Sequence, residues 1–342
     1  MNLSHEIKKI LVRIPFFSSL AARLTRKRSR IFLYHRFCKS QEESIHKIDE
    51  DTFEWQLKQL AKGWKVITLS EYIRYRREGI DLPYYSVILT IDDGYADFYE
   101  IAYVKLLQYG MTATLFPTVN FVDGKIWLWP DRVQYILENT REKQLSFEFS
   151  TELFKLNLES VKRKTAAWGK LVGYCLNADN ETKWAFISKL EEISGVNLPA
   201  LPPAGFASVT WDQLKEMSGN GIEIGSHTLN HPILSRLKKE EELTAETALS
   251  KEIFEEKLGK PVESFCYPNG CPKDINASVL NHVKMAGYKG AVVVTMPGIS
   301  DLYKIPRMGV SRDKTDFLWK LCGMEAVILT FRTNFKHLIN VC

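Results

Sequence analysis

Two adjacent carboxylates, Asp92 and Asp93, close the apolar run Ser86–Ile91 and are followed at once by Gly94. A continuous apolar run of this length reads as a strand buried on both faces. The C-terminal end of such a strand is where parallel α/β folds place reacting groups. Side chains of neighbouring residues diverge along a strand, so the pair can divide its work. One carboxylate can bind a metal while the other faces a bound water. A plain turn capped by an aspartate would give the same three letters. The second group is HTLNH, in which His227 and His231 stand four apart directly after Ile222–Ser226. On a helical turn that spacing puts both imidazoles on one face. Two imidazoles and a carboxylate suit a borderline ion such as zinc and leave coordination positions open, the pattern of catalytic sites. Surface or core histidines are the other reading, and the flanking Gly225, Ser226 and Pro232 argue against it. The third group is FCYPNG, Phe265–Gly270. Its Pro-Asn-Gly turn can aim backbone N–H groups at one point, as a tetrahedral oxyanion requires. Taken alone the string is an ordinary turn.

These groups need a scaffold that brings strand ends together. Short apolar runs alternate with helical patterns along the chain. RIFLY, SVILTI, ATLFP, IEIGS, SFCY and AVVV read as strands, and Phe53–Ala61 reads as a helix with Thr52 as its cap. Such alternation predicts a parallel sheet. Residues from about 131 to 205 differ: they carry helical patterns, many charges and no clear strand, and end in the linker LPALPPAG. They are expected to be a helical insertion.

LTIDDG, HTLNH and FCYPNG, in this order, resemble the three main motifs of the polysaccharide deacetylases, carbohydrate esterase family four. RIFLYHRF, FEWQLKQLAKGWKVITLSEYI, ATLFPTVNFVDGKIWLW and KIPRMGV resemble the exopolysaccharide-type branch. The likeness covers roughly residues 30–312. It implies an α/β fold, a distorted, incomplete (β/α) barrel with the helical insertion. It also implies a metal-dependent hydrolase that removes an N-acetyl group from an amino sugar in a polysaccharide or lipid-linked saccharide. By position, Asp93, His227 and His231 would hold a divalent metal, zinc first, with Co2+, Ni2+ or Mn2+ as alternatives. Asp92 would be the base toward the activated water, and the backbone N–H of Asn269 would face the oxyanion. Tyr267 and Pro268 beside it would meet substrate. Two departures stand out. The Arg that holds the base carboxylate in the family's third motif is Cys266 here, and Arg307 is the candidate substitute or else a structural arginine. The late motif that supplies the proton donor has no counterpart. His337 is poorly placed for that task, and His35, in LYHRF, fits it better unless it is a core histidine. Trp127, Trp129 and Asp131, in IWLWPD, are candidates for sugar contact, since aromatic faces stack on sugar rings; core packing would serve one of the tryptophans as well. A catalytically inactive glycan-binding module of the same fold is the alternative function.

The chain has 342 residues and a net charge of +5, with ordinary globular composition. Nine of its Lys and Arg, against one acid, lie in residues 1–36, which therefore carry +8 and leave −3 for the rest. Residues 1–29 read as a basic amphipathic arm, with Ile7, Ile10, Leu11, Ile14, Phe17, Leu20 and Leu24 on one side and a kink at Pro15. Such an arm suits an anionic membrane surface, a solvated tail or the protein's own body. Residues 313–342 repeat the pattern as an amphipathic helical tail. No nucleic-acid motif is present, and the slightly acidic body argues against such a partner. The six cysteines are scattered and read as reduced thiols. No clear signal peptide or membrane span stands out. The expectation is a cytoplasmic protein with peripheral contact to the inner membrane face.

Overall fold

The computed structural model describes residues 5–40, 42, 47–294 and 301–328. Its strands are β1 (Arg30–Tyr34), β2 (Arg36–Cys38), β3 (Lys47–Asp49), β4 (Lys65–Val66), β5 (Ser86–Asp93), β6 (Thr114–Pro117), β7 (Gln144–Phe149), β8 (Glu152–Asn157), β9 (Glu223–Ile224), β10 (Ser264–Cys266), β11 (Gly290–Val293), β12 (Ile305–Pro306) and β13 (Met308–Gly309). The main sheet runs β13-β1-β5-β6-β9, all parallel, with β4 beside the start of β5. A second parallel sheet runs β10-β11-β12.

The two sheets curve into one another. Beyond β9, Ser226 bridges to Phe265 in β10, its N–H donating to the Ser264 carbonyl at 3.0 Å. At the other seam β12 and β13 are separated by Arg307 alone. The result is the parallel arrangement expected from the strand–helix alternation, in the distorted, incomplete barrel that the resemblance implies. β5 is buried at every position, which explains its unbroken apolar sequence. Phe32, Leu89, Leu115, Ile224, Phe265 and Val293 share the main core with the surrounding helices.

Local chemistry fixes several boundaries. The helix read from Phe53 begins earlier, at Glu50, and its cap is Asp49 rather than Thr52: the Thr52 N–H donates to Asp49 Oδ1 at 2.8 Å. After β5 the chain forms a π-helical turn, Phe98–Tyr103, that runs into the helix Val104–Gln108.

The segment between β6 and β9 is mainly helical, with helices Trp129–Asn139, Val161–Cys175 and Asn180–Ser194. It also holds an antiparallel hairpin, β7 with β8, in a stretch where the sequence suggested no strand. In β7 the buried Leu145 and Phe147 alternate with exposed Gln144, Ser146 and Glu148, so the strand is legible only as a six-residue alternation. Val133, Ile136, Phe154, Leu171, Phe186 and Leu190 give this segment its own core. Arg236 ties it to the barrel by donating to the carbonyls of Leu176 and Ala178 at the end of helix Val161–Cys175.

The N-terminal arm forms helices His5–Arg13 and Pro15–Leu24, broken at Pro15. Its Val12 and Ala21 pack with Trp319, Cys322 and Met324 around helix Lys314–Cys322. Buried Arg30 donates to Leu321 O at 2.9 Å and Thr25 O at 2.8 Å, locking arm, first strand and this helix together. Only one face is used. Ile10, Phe16 and Leu24 remain 58%, 68% and 60% exposed. In the C-terminal tail, Phe317, Leu321 and Met324 are buried. Phe331, Phe335, His337 and Leu338 lie outside the described residues. Among the described residues no helix is long and apolar enough to cross a membrane, and Cys38, Cys175, Cys266, Cys271 and Cys322 are free thiols.

Candidate metal centre and active site

β5 ends in a sharp turn that separates its two carboxylates. Asp93 has a positive φ of 74°, unusual for a residue with a side chain, and Gly94 follows at 88°. A Cβ on Gly94 would meet Pro117 Cβ at 2.6 Å, so only glycine permits β6 to approach. Asp92 and Asp93 are both buried.

Asp93 Oδ1 lies 3.4 Å from His227 Nε2 and 3.3 Å from His231 Nε2. One ligand atom from each of the three residues falls within 4.8 Å of the others. The His227 Nδ1 is 2.8 Å from the Cys266 carbonyl, which fixes the tautomer that leaves Nε2 free to bind. The donor set therefore fits a divalent cation, with positions open for water and substrate. A second group, Asp92, His227 and Cys266, is equally close. Both Asp92 oxygens and the Cys266 sulfur there already face the Arg307 guanidinium, whose charge opposes a cation. The two histidines do not lie on a helical turn, as their spacing suggested. They lie on a loop in which Thr228 and His231 have φ of 72° and 58°. The strand-to-loop turn, rather than helical periodicity, brings the imidazoles within 4.8 Å of one another, centre to centre.

Arg307 is buried and meets Asp92 through both guanidinium ends, at 2.6 and 2.8 Å. Burial alone would raise the Asp92 pKa; Arg307 outweighs it and holds the carboxyl below its usual range. His35 follows β1, has its side chain half exposed, and brings Nε2 to 3.9 Å from Asp92 Oδ2. It is thus not a core histidine.

Asp92, Asp93, His227, His231, Arg307 and His35 line one cavity of about 340 Å³, together with Tyr267, Pro268 and Asn269. That volume suits a small ligand or a single residue of a polymer. Tyr267 is mostly buried, its hydroxyl donating to Tyr303 O at 3.1 Å. The facing wall comes from the segment after β6: Trp129, Asp131, Trp168, Val172 and Leu176. Trp168 is held by an Nε1–H bond to Pro130 O at 3.1 Å. Asp131 accepts from the Tyr95 hydroxyl at 2.8 Å and sits 3.8 Å from Arg36. Burial drives its pKa up to about 7 despite Arg36. Trp127 does not line the cavity. It stacks on Phe206 at 6.0 Å and meets Tyr135 edge-on, a core position.

Sequence reasoning missed Arg36, Tyr95 and Trp168. Arg36 and Tyr95 stand directly beside the singled-out His35 and Gly94, so adjacency was the available signal. Trp168 lies on a helix whose charged pattern gives no hint of the cavity.

The parallel barrel thus carries an Asp-His-His cluster and an arginine-held carboxylate at the carboxyl ends of its strands. Residues 179–291 match the family model described as polysaccharide deacetylase. The Bacillus subtilis (strain 168) protein YxkH, whose name places it in the same family, is 23% identical over 286 residues, 82% of this chain and 71% of its own. The Streptococcus pyogenes deacetylase PplD, solved in complex with acetate, superposes with a TM-score of 0.56 at 18% identity, over 86% of this chain and 97% of that one. IcaB from Ammonifex degensii gives 0.53 at 17% identity, over 86% and 97%. These likenesses in structure establish the shared fold.

Proposed function

We propose that the protein is a metal-dependent N-deacetylase acting on an N-acetylated amino sugar within a polysaccharide or lipid-linked saccharide. The observation that carries this reading is the placement of Asp93, His227 and His231 beside the Arg307-held Asp92 in one cavity. Zinc suits the two imidazoles and one carboxylate, with Co2+, Ni2+ or Mn2+ as alternatives. When bound, such an ion polarises the acetamide carbonyl and makes water beside it more acidic. Asp92, kept ionised and fixed in direction by Arg307, takes the proton from that water. The backbone N–H of Asn269 faces the oxyanion of the attacked carbonyl. The carbon–nitrogen bond then breaks, and His35, on the open side of Asp92, gives the leaving nitrogen its proton. Acetate and a free amine are the products. Trp129, Asp131 and Trp168 form the wall against which the sugar ring rests.

The loss of the usual motif arginine at Cys266 would favour an inactive glycan-binding module. Arg307 supplies that guanidinium from the junction of β12 and β13, which supports the active reading. The arm's exposed apolar side chains and basic residues support peripheral contact with the cytoplasmic membrane face. The test is acetate release from a panel of N-acetylated glycans by wild type and Asp92→Asn. Release by wild type alone is expected. No release from any glycan, with metal tightly bound, would turn the assignment to the glycan-binding module.

A further inference from the structure

The loop that carries both histidines is under backbone strain and must be held from outside. Thr228 and His231 each occupy the left-handed region, which is intrinsically unfavourable for residues with side chains. On one side the short helix Val119–Val122 holds the loop's carbonyls: the Val119 and Asn120 N–H groups donate to Thr228 O at 3.2 Å and Leu229 O at 2.9 Å. On the other side the loop's N–H groups converge on one carboxylate. Leu229 N–H and Asn230 N–H donate to Glu246 Oε2 at 2.9 and 2.8 Å, and Asn230 Nδ2 donates to Glu246 Oε1 at 2.8 Å.

Glu246 is 6% exposed. It sits in a π-helical turn, Ala245–Leu249, that interrupts the long helix between Glu240 and Leu258. Such wide turns recur at functional sites because the extra residue re-aims a side chain. One turn further on, Ser250 Oγ lies 3.0 Å from Ser226 Oγ, and Ser226 Oγ accepts from the Thr228 N–H at 3.3 Å. The same helix thus grips the loop before and after His227. Three N–H donors and the Thr228 hydroxyl face Glu246, so a carboxylate matches them where an amide would place a donor against a donor.

We infer that Glu246 is a positioning residue for the metal centre. It holds the 228–231 loop in the strained conformation that turns His231 toward Asp93 and His227. The inference rests on the metal-centre reading above. It assigns Glu246 a task that its place in a charged surface-type helix does not suggest.

The test is titration of the metal-free protein with Co2+ alone, followed by calorimetry and by the visible absorption of the bound ion. Wild type, Glu246→Ala, Glu246→Gln and Glu223→Ala are compared, with the metal-free Tm of each. Glu223 is a control at the opposite end of the barrel, where it ties Ser70, Thr114 and Ser264 together. Glu246→Ala should bind Co2+ about 10–100-fold more weakly, with an altered spectrum, as loss of groups that orient metal ligands does elsewhere. Glu246→Gln, which keeps one acceptor, should lose less. Glu223→Ala should lower Tm and leave Co2+ affinity unchanged. Wild-type affinity and spectrum in Glu246→Ala would overturn the inference and leave the metal centre standing. If that variant does not fold, wild-type affinity in Glu246→Gln would overturn it equally. A wild type that binds no Co2+ would overturn the metal centre and this inference together.

Discussion

Arg307 and Asp92 stand 215 residues apart in sequence and meet as a two-pronged pair, Nη1 to Oδ1 at 2.6 Å and Nη2 to Oδ2 at 2.8 Å. The pair closes the seam between β12 and β13 and orients the proposed base. Arg307→Ala leaves a buried carboxylate without its counter-charge, and burial then pushes the Asp92 pKa upward. The acid limb of kcat/KM should move to higher pH, with kcat falling by about 10²–10⁴-fold, the usual worth of a positioned base. Arg307→Lys should recover little, because an ammonium cannot reproduce the two-pronged geometry. A pH–rate profile of wild type and both variants checks this; an unmoved acid limb would count against it.

Asp131 gives a stability prediction with a definite sign. Its folded pKa is raised to about 7 from an ordinary 3.8, chiefly by burial. The protonated form is therefore favoured by folding. That contribution is complete below the unfolded value and is lost as pH rises through about 7. Relative to Asp131→Asn, wild type should lose stability between pH 5 and pH 8. Denaturation curves of both proteins at the two pH values decide it, and parallel pH slopes would contradict the cause assigned.

The two tryptophan classes should separate in kinetics. Trp168→Ala should raise KM about 10-fold with little change in kcat, since it removes a wall of the cavity rather than a reacting group. Trp127→Ala should leave KM unchanged and destabilise the fold by about 3–5 kcal/mol, as truncation of a core aromatic does. Steady-state kinetics with thermal unfolding distinguish the two, and a KM effect confined to Trp127→Ala would reverse the assignment.

The strand ends carrying Asp92, His227 and Phe265–Gly270 were legible because each motif sits in or just after a short apolar run, and such runs can be read locally. What the sequence hid was non-local or geometric. The HTLNH spacing suggested a helical turn, whereas the imidazoles converge through the strained backbone at Thr228 and His231. Trp168 reaches the cavity only through the packing of a segment with its own core. The β7–β8 hairpin hid among charges because each strand buries only alternate side chains. Glu246 looked like one more acid in a charged helix, since nothing in the letters marks a π-helical turn.

Membrane contact can be tested without disturbing the fold. Phe16 and Leu24 are well exposed, so serine at both positions should cost little stability. Wild type should float with vesicles containing phosphatidylglycerol at low salt, and Phe16→Ser/Leu24→Ser should float far less. Equal flotation of the two proteins, or none of the wild type, would remove the arm from the account.

The most direct test of the central claim is removal and return of the metal. Acetate release from an N-acetylated glycan that the wild type hydrolyses is measured before chelation, after it, and after adding one equivalent of Zn2+ or Co2+, with metal content determined at each stage. The account predicts that release stops with the metal removed, returns with it, and does not return in His231→Ala. Undiminished release from protein shown to be metal-free would contradict it.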